Sequence, residues 1–161
     1  MRRAIAAACA FLALAGLSTG PSTAAWADGA GLRLDGSGVS YLGSDLRILS
    51  VDAHADAGVA SGITSFVHVA PAGVSRFVGT VACFRRDGDG EVQFSGQVLD
   101  GATAAGVVLT GKDFSFTLEA DGRPQAFSLP SFADAGTQGG CSGGSVQRVA
   151  VTFGGFVLGE A

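Results

Sequence analysis

The stretch Lys112-Asp113-Phe114-Ser115-Phe116-Thr117-Leu118-Glu119-Ala120 alternates apolar and polar side chains without a break. On an extended chain Phe114, Phe116, Leu118 and Ala120 share one side, and Asp113, Ser115, Thr117 and Glu119 share the other. A period of two marks a strand with one buried face, whereas a helix needs apolar spacings of three and four. The same pattern runs through Glu91-Val92-Gln93-Phe94-Ser95-Gly96-Gln97-Val98. It recurs at Phe77, Gly79, Val81 and Cys83, and again at Val149, Val151 and Phe153 near the C-terminus.

Turn chemistry separates these runs. Asp87-Gly88-Asp89-Gly90 and Asp121-Gly122 are natural hairpin connections, and Asp35-Gly36, Pro71-Ala72-Gly73, Asp100-Gly101 and Gly111 punctuate the rest. Strands are expected at 31–42, 45–55, 61–70, 74–86, 90–99, 105–110, 112–120, 124–129 and 146–158. The spacing leaves no room for helical crossovers, so neighbours pair antiparallel. The expected fold is all-β: a single antiparallel, closed or nearly closed 8–9-stranded up-and-down barrel, with a β-sandwich as the alternative. Gly62, Gly79 and Gly96 would mark the bends that closure requires. Phe77, Val81, Val92, Phe94, Val98, Phe114, Phe116, Leu118, Val151 and Phe153 form the expected core. Gln93, Gln97, Asp113, Thr117 and Glu119 are expected to face solvent.

The N-terminus reads as a leader. Met1-Arg2-Arg3 is a short positive region, Ala4 to Leu17 is an apolar run, and Ala25-Trp26-Ala27 is a small-x-small cleavage site. Residues 1–27 are thus a signal peptide and residues 28–161 a single secreted β domain. Export through the general secretory pathway is expected, because Arg2-Arg3 lacks the twin-arginine surroundings, and the protein is placed outside the cell. Cys9 leaves with the leader. Cys83 and Cys141 then make an even pair in an oxidising compartment, which predicts a disulfide. Its loop of about 58 residues corresponds to about 4 kcal/mol in the chain-entropy picture. The bridge would pin the Gly- and Ser-rich segment 130–145 to the wall, with Cys83 pointing inward or to the rim.

The remaining 134 residues carry eight basic against fourteen acidic side chains, a net charge of −6. With no Lys/Arg cluster, nucleic acid is excluded as a partner. No second apolar run reaches the length of a membrane span.

The layout resembles a group of small, uncharacterised secreted proteins of high-GC Gram-positive bacteria. The residues that carry the resemblance are Leu49-Ser50-Val51-Asp52-Ala53-His54, Phe77 to Phe84, Val92 to Val98, Phe114-Ser115-Phe116 with Asp121-Gly122, and the late Cys141. The resemblance implies a β-barrel and an extracellular location, and no activity. This chain departs from the group in following Asp121-Gly122 with Arg123-Pro124.

Several constellations bear on chemistry. Asp52, His54 and Asp56 alternate, so they project from one strand face about 6.6–7 Å apart per step, a spacing wide for one ion. Asp87, Asp89 and Glu91 resemble the start of a calcium loop, yet Val92 and Val98 stand where Gly and Glu belong. Both sets are expected to be solvated polar residues, and no metal or other cofactor is expected. Cys141-Ser142-Gly143-Gly144-Ser145 lacks the setting of a nucleophile elbow. Glu91 and Glu119 could be paired carboxylates only if the fold brings them together.

These readings favour a non-enzymatic secreted module that binds either a small apolar ligand or a cell-envelope component. A Phe-lined interior favours the ligand if it is hollow and surface contact if it is solid. A small extracellular hydrolase is the second reading, favoured if His54 or His68 gathers carboxylates in a cleft. A structural envelope protein is the third.

Overall fold

A computed structural model describes residues 31–87, 90–137, 140–141, 144–145 and 147–160. The leader and its cleavage site fall outside the described residues, as do Gly88 and Asp89. The described chain is all-β. Five long strands come first: β1 Leu32–Leu42, β2 Asp45–Asp56, β3 Val59–Ala70, β4 Gly73–Arg86 and β5 Glu91–Ala102. Shorter ones follow: β6 Asp113–Glu119, β7 Ala126–Ser128, β8 Ser131–Ala133, β9 Arg148–Ala150 and β10 Phe153–Glu160.

The strands form one antiparallel sheet in the order β10-β1-β2-β3-β4-β5-β6-β7-β9, with β8 pairing residues 113–115 of β6, clear of the Leu118 and Glu119 that β7 takes. Sequence neighbours are spatial neighbours along nearly the whole path, as short hairpin connections demand. The sheet curls strongly. Phe127 on β7 and Phe156 on β10 belong to strands near opposite ends of the path, yet their rings lie 6.4 Å apart. Register shifts at Val78/Gly79 and Val81/Cys83 sharpen the curl. Gly79 and Gly96 flank those shifts, whereas Gly62 sits in the unbroken β2–β3 ladder.

The concave face is filled by phenylalanine. Phe66, Phe77, Phe94, Phe114, Phe116 and Phe127 are buried, with ring centroids 5.2–6.5 Å apart in tilted, stacked and edge-to-face pairs. Each such side chain contributes roughly 1.5–3 kcal/mol through burial, with a further increment from ring geometry. On the edge of β10 away from β1, a side chain continues the pairing. The Gln125 amide accepts the Phe156 N–H at 2.8 Å and donates to the Phe156 carbonyl at 2.8 Å, as a strand residue would.

Four expectations are corrected. Residues 105–110 are a turn, not a strand: Gly106 adopts φ 80°, and one bridge, Ala102 to Val108, is all that pairs there. The span 146–158 is two strands broken at Val151-Thr152, and the interruption inverts the faces. Phe153 is 63% exposed, Val151 is half-buried, and Phe156 takes the core position. The inversion is completed at Gly154, where φ is 79° and a Cβ would meet the Ser37 carbonyl oxygen. The span 124–129 pairs only over Ala126–Ser128, and β8 was not anticipated. Thr117 is buried, not solvated, because the Cys141 segment covers it: Gly144 N–H donates to Thr117 Oγ1 at 3.0 Å.

Candidate functional site

Cys83 and Cys141 are bonded, with Cα atoms 5.2 Å apart. Cys83 does not share the inward face of Phe77 and Val81. The register shift between Val81 and Cys83 turns it outward, opposite Ser95, and hands the inward position to Phe84. The bond thus clamps the Gly-rich segment onto the outer surface of β4–β6. Ser95 Oγ donates to the Gly140 carbonyl at 3.1 Å, and Ser128 Oγ accepts the Thr117 N–H at 3.0 Å beneath the same cover.

The acidic residues singled out in sequence are dispersed. Asp52, His54 and Asp56 project from the exposed face of β2. Asp52 lies 3.8 Å from Arg33, and His54 Nε2 shares a hydrogen bond with Ser61 at 2.9 Å. Asp87 accepts from Gln93 Nε2 at 3.1 Å, and Asp89 is outside the described residues. Among the described residues no group of three His, Cys, Asp or Glu side chains could hold a metal ion. Glu91 and Glu119 are direct cross-strand partners, as paired carboxylates would need to be. Arg148 bridges them, one guanidinium nitrogen to each carboxylate, which balances like charges that would otherwise repel across the ladder.

Two features stand out instead. The first is on the outer face. Phe153, Val39, Ile48 and Val67 align across β10, β1, β2 and β3. One row along, Tyr41, Leu46, Val69 and Val74 align across β1 to β4. Tyr41, Val69 and Val74 are 54%, 36% and 50% exposed, and Tyr41 meets Phe153 edge-on at 6.2 Å. Arg76 ends the first row, and beyond the two rows the same face is mixed: Ser37, Ser50 and Ser65 align with Val78, then Asp35 and Asp52 with Val157 and Ile63. A contiguous apolar patch rimmed by polar residues marks an interaction surface far better than scattered apolar side chains do.

The second feature is on the inner face, at the end where the 42–45 and 70–73 turns lie. Ser40, Arg47, His68 and Ser75 align across β1 to β4. Asp45 joins them: its Oδ2 accepts from Arg47 Nη2 at 2.9 Å and pairs with His68 Nε2 at 3.1 Å. The Arg47 side chain is only 6% exposed, and its Nε and Nη1 are buried without a partner among the described residues. Beside this row lies a cavity of about 190 Å³, bounded by His68, Ser75, Phe66, Phe77, Leu129 and Phe132 among others.

The chain matches no protein-family model, no curated protein and no solved structure.

Sequence reasoning missed both features, although each left a trace. The second apolar set on β1 to β4 stands at positions that a half-buried strand reserves for polar residues. Arg47 stands in phase with Leu49, Val51, Ala53 and Ala55, which places a charge on the buried face.

Proposed function

We propose that residues 28–161 are an exported, non-enzymatic interaction module that docks through its outer apolar face onto a cell-envelope component. The outer rows of Phe153, Tyr41, Val69 and Val74 carry this reading. The phenylalanine packing supports surface contact over an enclosed ligand, because the concave face is occupied by the chain's own rings. The Cys83–Cys141 bond supports export, since such bonds persist in oxidising compartments. The net charge of −6 disfavours an anionic polymer as the partner.

The test is cosedimentation with envelope fractions of a high-GC Gram-positive bacterium. Val69→Lys/Val74→Lys should fold normally, because both sites are exposed, and should lose binding. Retained binding would contradict the proposal.

The hydrolase reading draws on His68, which meets Asp45 and lines a cavity also lined by Ser75. Ser75 Oγ is engaged by the Ala104 N–H at 2.9 Å and makes no hydrogen bond to His68, so the nucleophile–base contact is missing. Hydrolysis of simple aryl esters, lost in His68→Ala, would reverse the preference.

A further inference from the structure

The inner-face row at the 42–45 end is a different surface from the docking face, and its chemistry is unbalanced. Arg47 reaches this face because it stands in phase with the buried positions of β2. Asp45 takes one of its nitrogens, leaving Nε and Nη1 as buried donors with no acceptor among the described residues. A buried donor without an acceptor costs about 1–3 kcal/mol, and more when charged. An acceptor supplied from outside the chain removes that penalty. Arginine presents its N–H groups in a planar fork that suits a carboxylate.

The neighbouring space fixes the rest of the ligand. His68 is the cross-strand partner of Arg47, shares Asp45 Oδ2 with it and lines the cavity, so one side chain separates the cavity from the Arg47–Asp45 pair. The cavity is walled largely by Phe66, Phe77, Leu109, Leu129 and Phe132, and Arg76 also lines it. Its volume of about 190 Å³ suits a body of one ring, since a dry cavity of about 150 Å³ already accepts benzene. A long acyl chain would not fit above the packed rings.

We propose that this end of the inner face binds a compact monocarboxylate with a flat or branched apolar body. The body fills the cavity, and the carboxylate reaches past His68 to accept from Arg47 Nε and Nη1. No bond is made or broken.

The test uses the oxidised chain with benzoate as probe and benzyl alcohol as its uncharged counterpart, followed by NMR titration. Benzoate should shift Phe66, His68 and Leu129 saturably and bind about tenfold or more tightly than benzyl alcohol, a factor that corresponds to about 1.4 kcal/mol. Leu129→Trp, which fills the cavity from a half-buried wall position, should abolish both. Arg47→Met should bring benzoate down to the level of the alcohol. If that variant does not fold, Arg76→Gln decides, because Arg76 also lines the cavity: loss of the preference for benzoate in that variant would overturn the proposal. Equal affinities, shifts confined to other regions, or no saturable binding would each overturn the proposal. The last of these, with the Arg47 side-chain protons exchanging with solvent, would mean that water alone satisfies the guanidinium.

Discussion

Gly79 lies directly beneath the Phe114 ring: a Cβ on Gly79 would stand 2.6 Å from Phe114 Cε1 and 2.8 Å from the Gln97 carbonyl oxygen. The missing side chain on β4 is the space that the β6 ring occupies. Gly79→Ala should therefore destabilise the fold by about 1–3 kcal/mol, as overpacking does. Phe114→Leu in the same chain should recover part of that loss, so the two changes are non-additive. Urea denaturation of the single and double variants measures this.

Two phenylalanines should separate sharply. Phe116 stacks on Phe94 with centroids 5.2 Å apart and touches Phe66 and Phe77, so Phe116→Ala should cost about 3–5 kcal/mol. Phe153 is exposed, and Phe153→Ala should cost under about 0.5 kcal/mol. Equal losses in denaturant would mean that the faces of β10 are inverted.

Reduction, or Cys141→Ser, should cost a few kcal/mol, since the bond spans 58 residues. It should also uncover Thr117, whose hydroxyl and backbone N–H are both engaged beneath the clamped segment. Amide exchange at Thr117 and Ser95 should quicken more than at Phe94, which stays in the core.

Asp134 is fully exposed, and the hydrogen bond and charge of Lys112, with Nζ at 2.8 Å, hold its carboxyl below the ordinary aspartate range. A carboxylate depressed in the folded state stabilises above its unfolded value, and that contribution disappears as pH falls through the folded value. Lys112→Ala should raise the Asp134 titration midpoint, followed by carboxyl NMR. An unchanged midpoint would mean that the pair does not persist in solution.

Strands were legible where their alternation is uninterrupted. Phe114, Phe116 and Leu118 announce their face, and β6 forms where expected. The sequence reading failed where one residue shifts the phase. Ala82 has no partner in the β4–β5 ladder, which turns Cys83 outward, and the interruption at Val151-Thr152 does the same for Phe153. A period-two reading carries parity forward and has no means to see a slip. The burial of Thr117 was illegible for another reason: a distant loop covers it, and the bridge that holds that loop is a tertiary fact. Asp52, His54 and Asp56 drew notice for residue type, while Arg47 escaped it because its meaning lies in its phase.

Docking on the outer face of β10 and β1 to β4, as proposed, would leave a footprint there. Hydroxyl-radical footprinting of the chain, free and bound to envelope fractions, reads it. Tyr41, Val69, Val74 and Phe153 should be protected on binding, while Val59 and Val157, more exposed but away from the two rows, should react as before. Unchanged reactivity at Tyr41 and Phe153, with protection elsewhere, would contradict it.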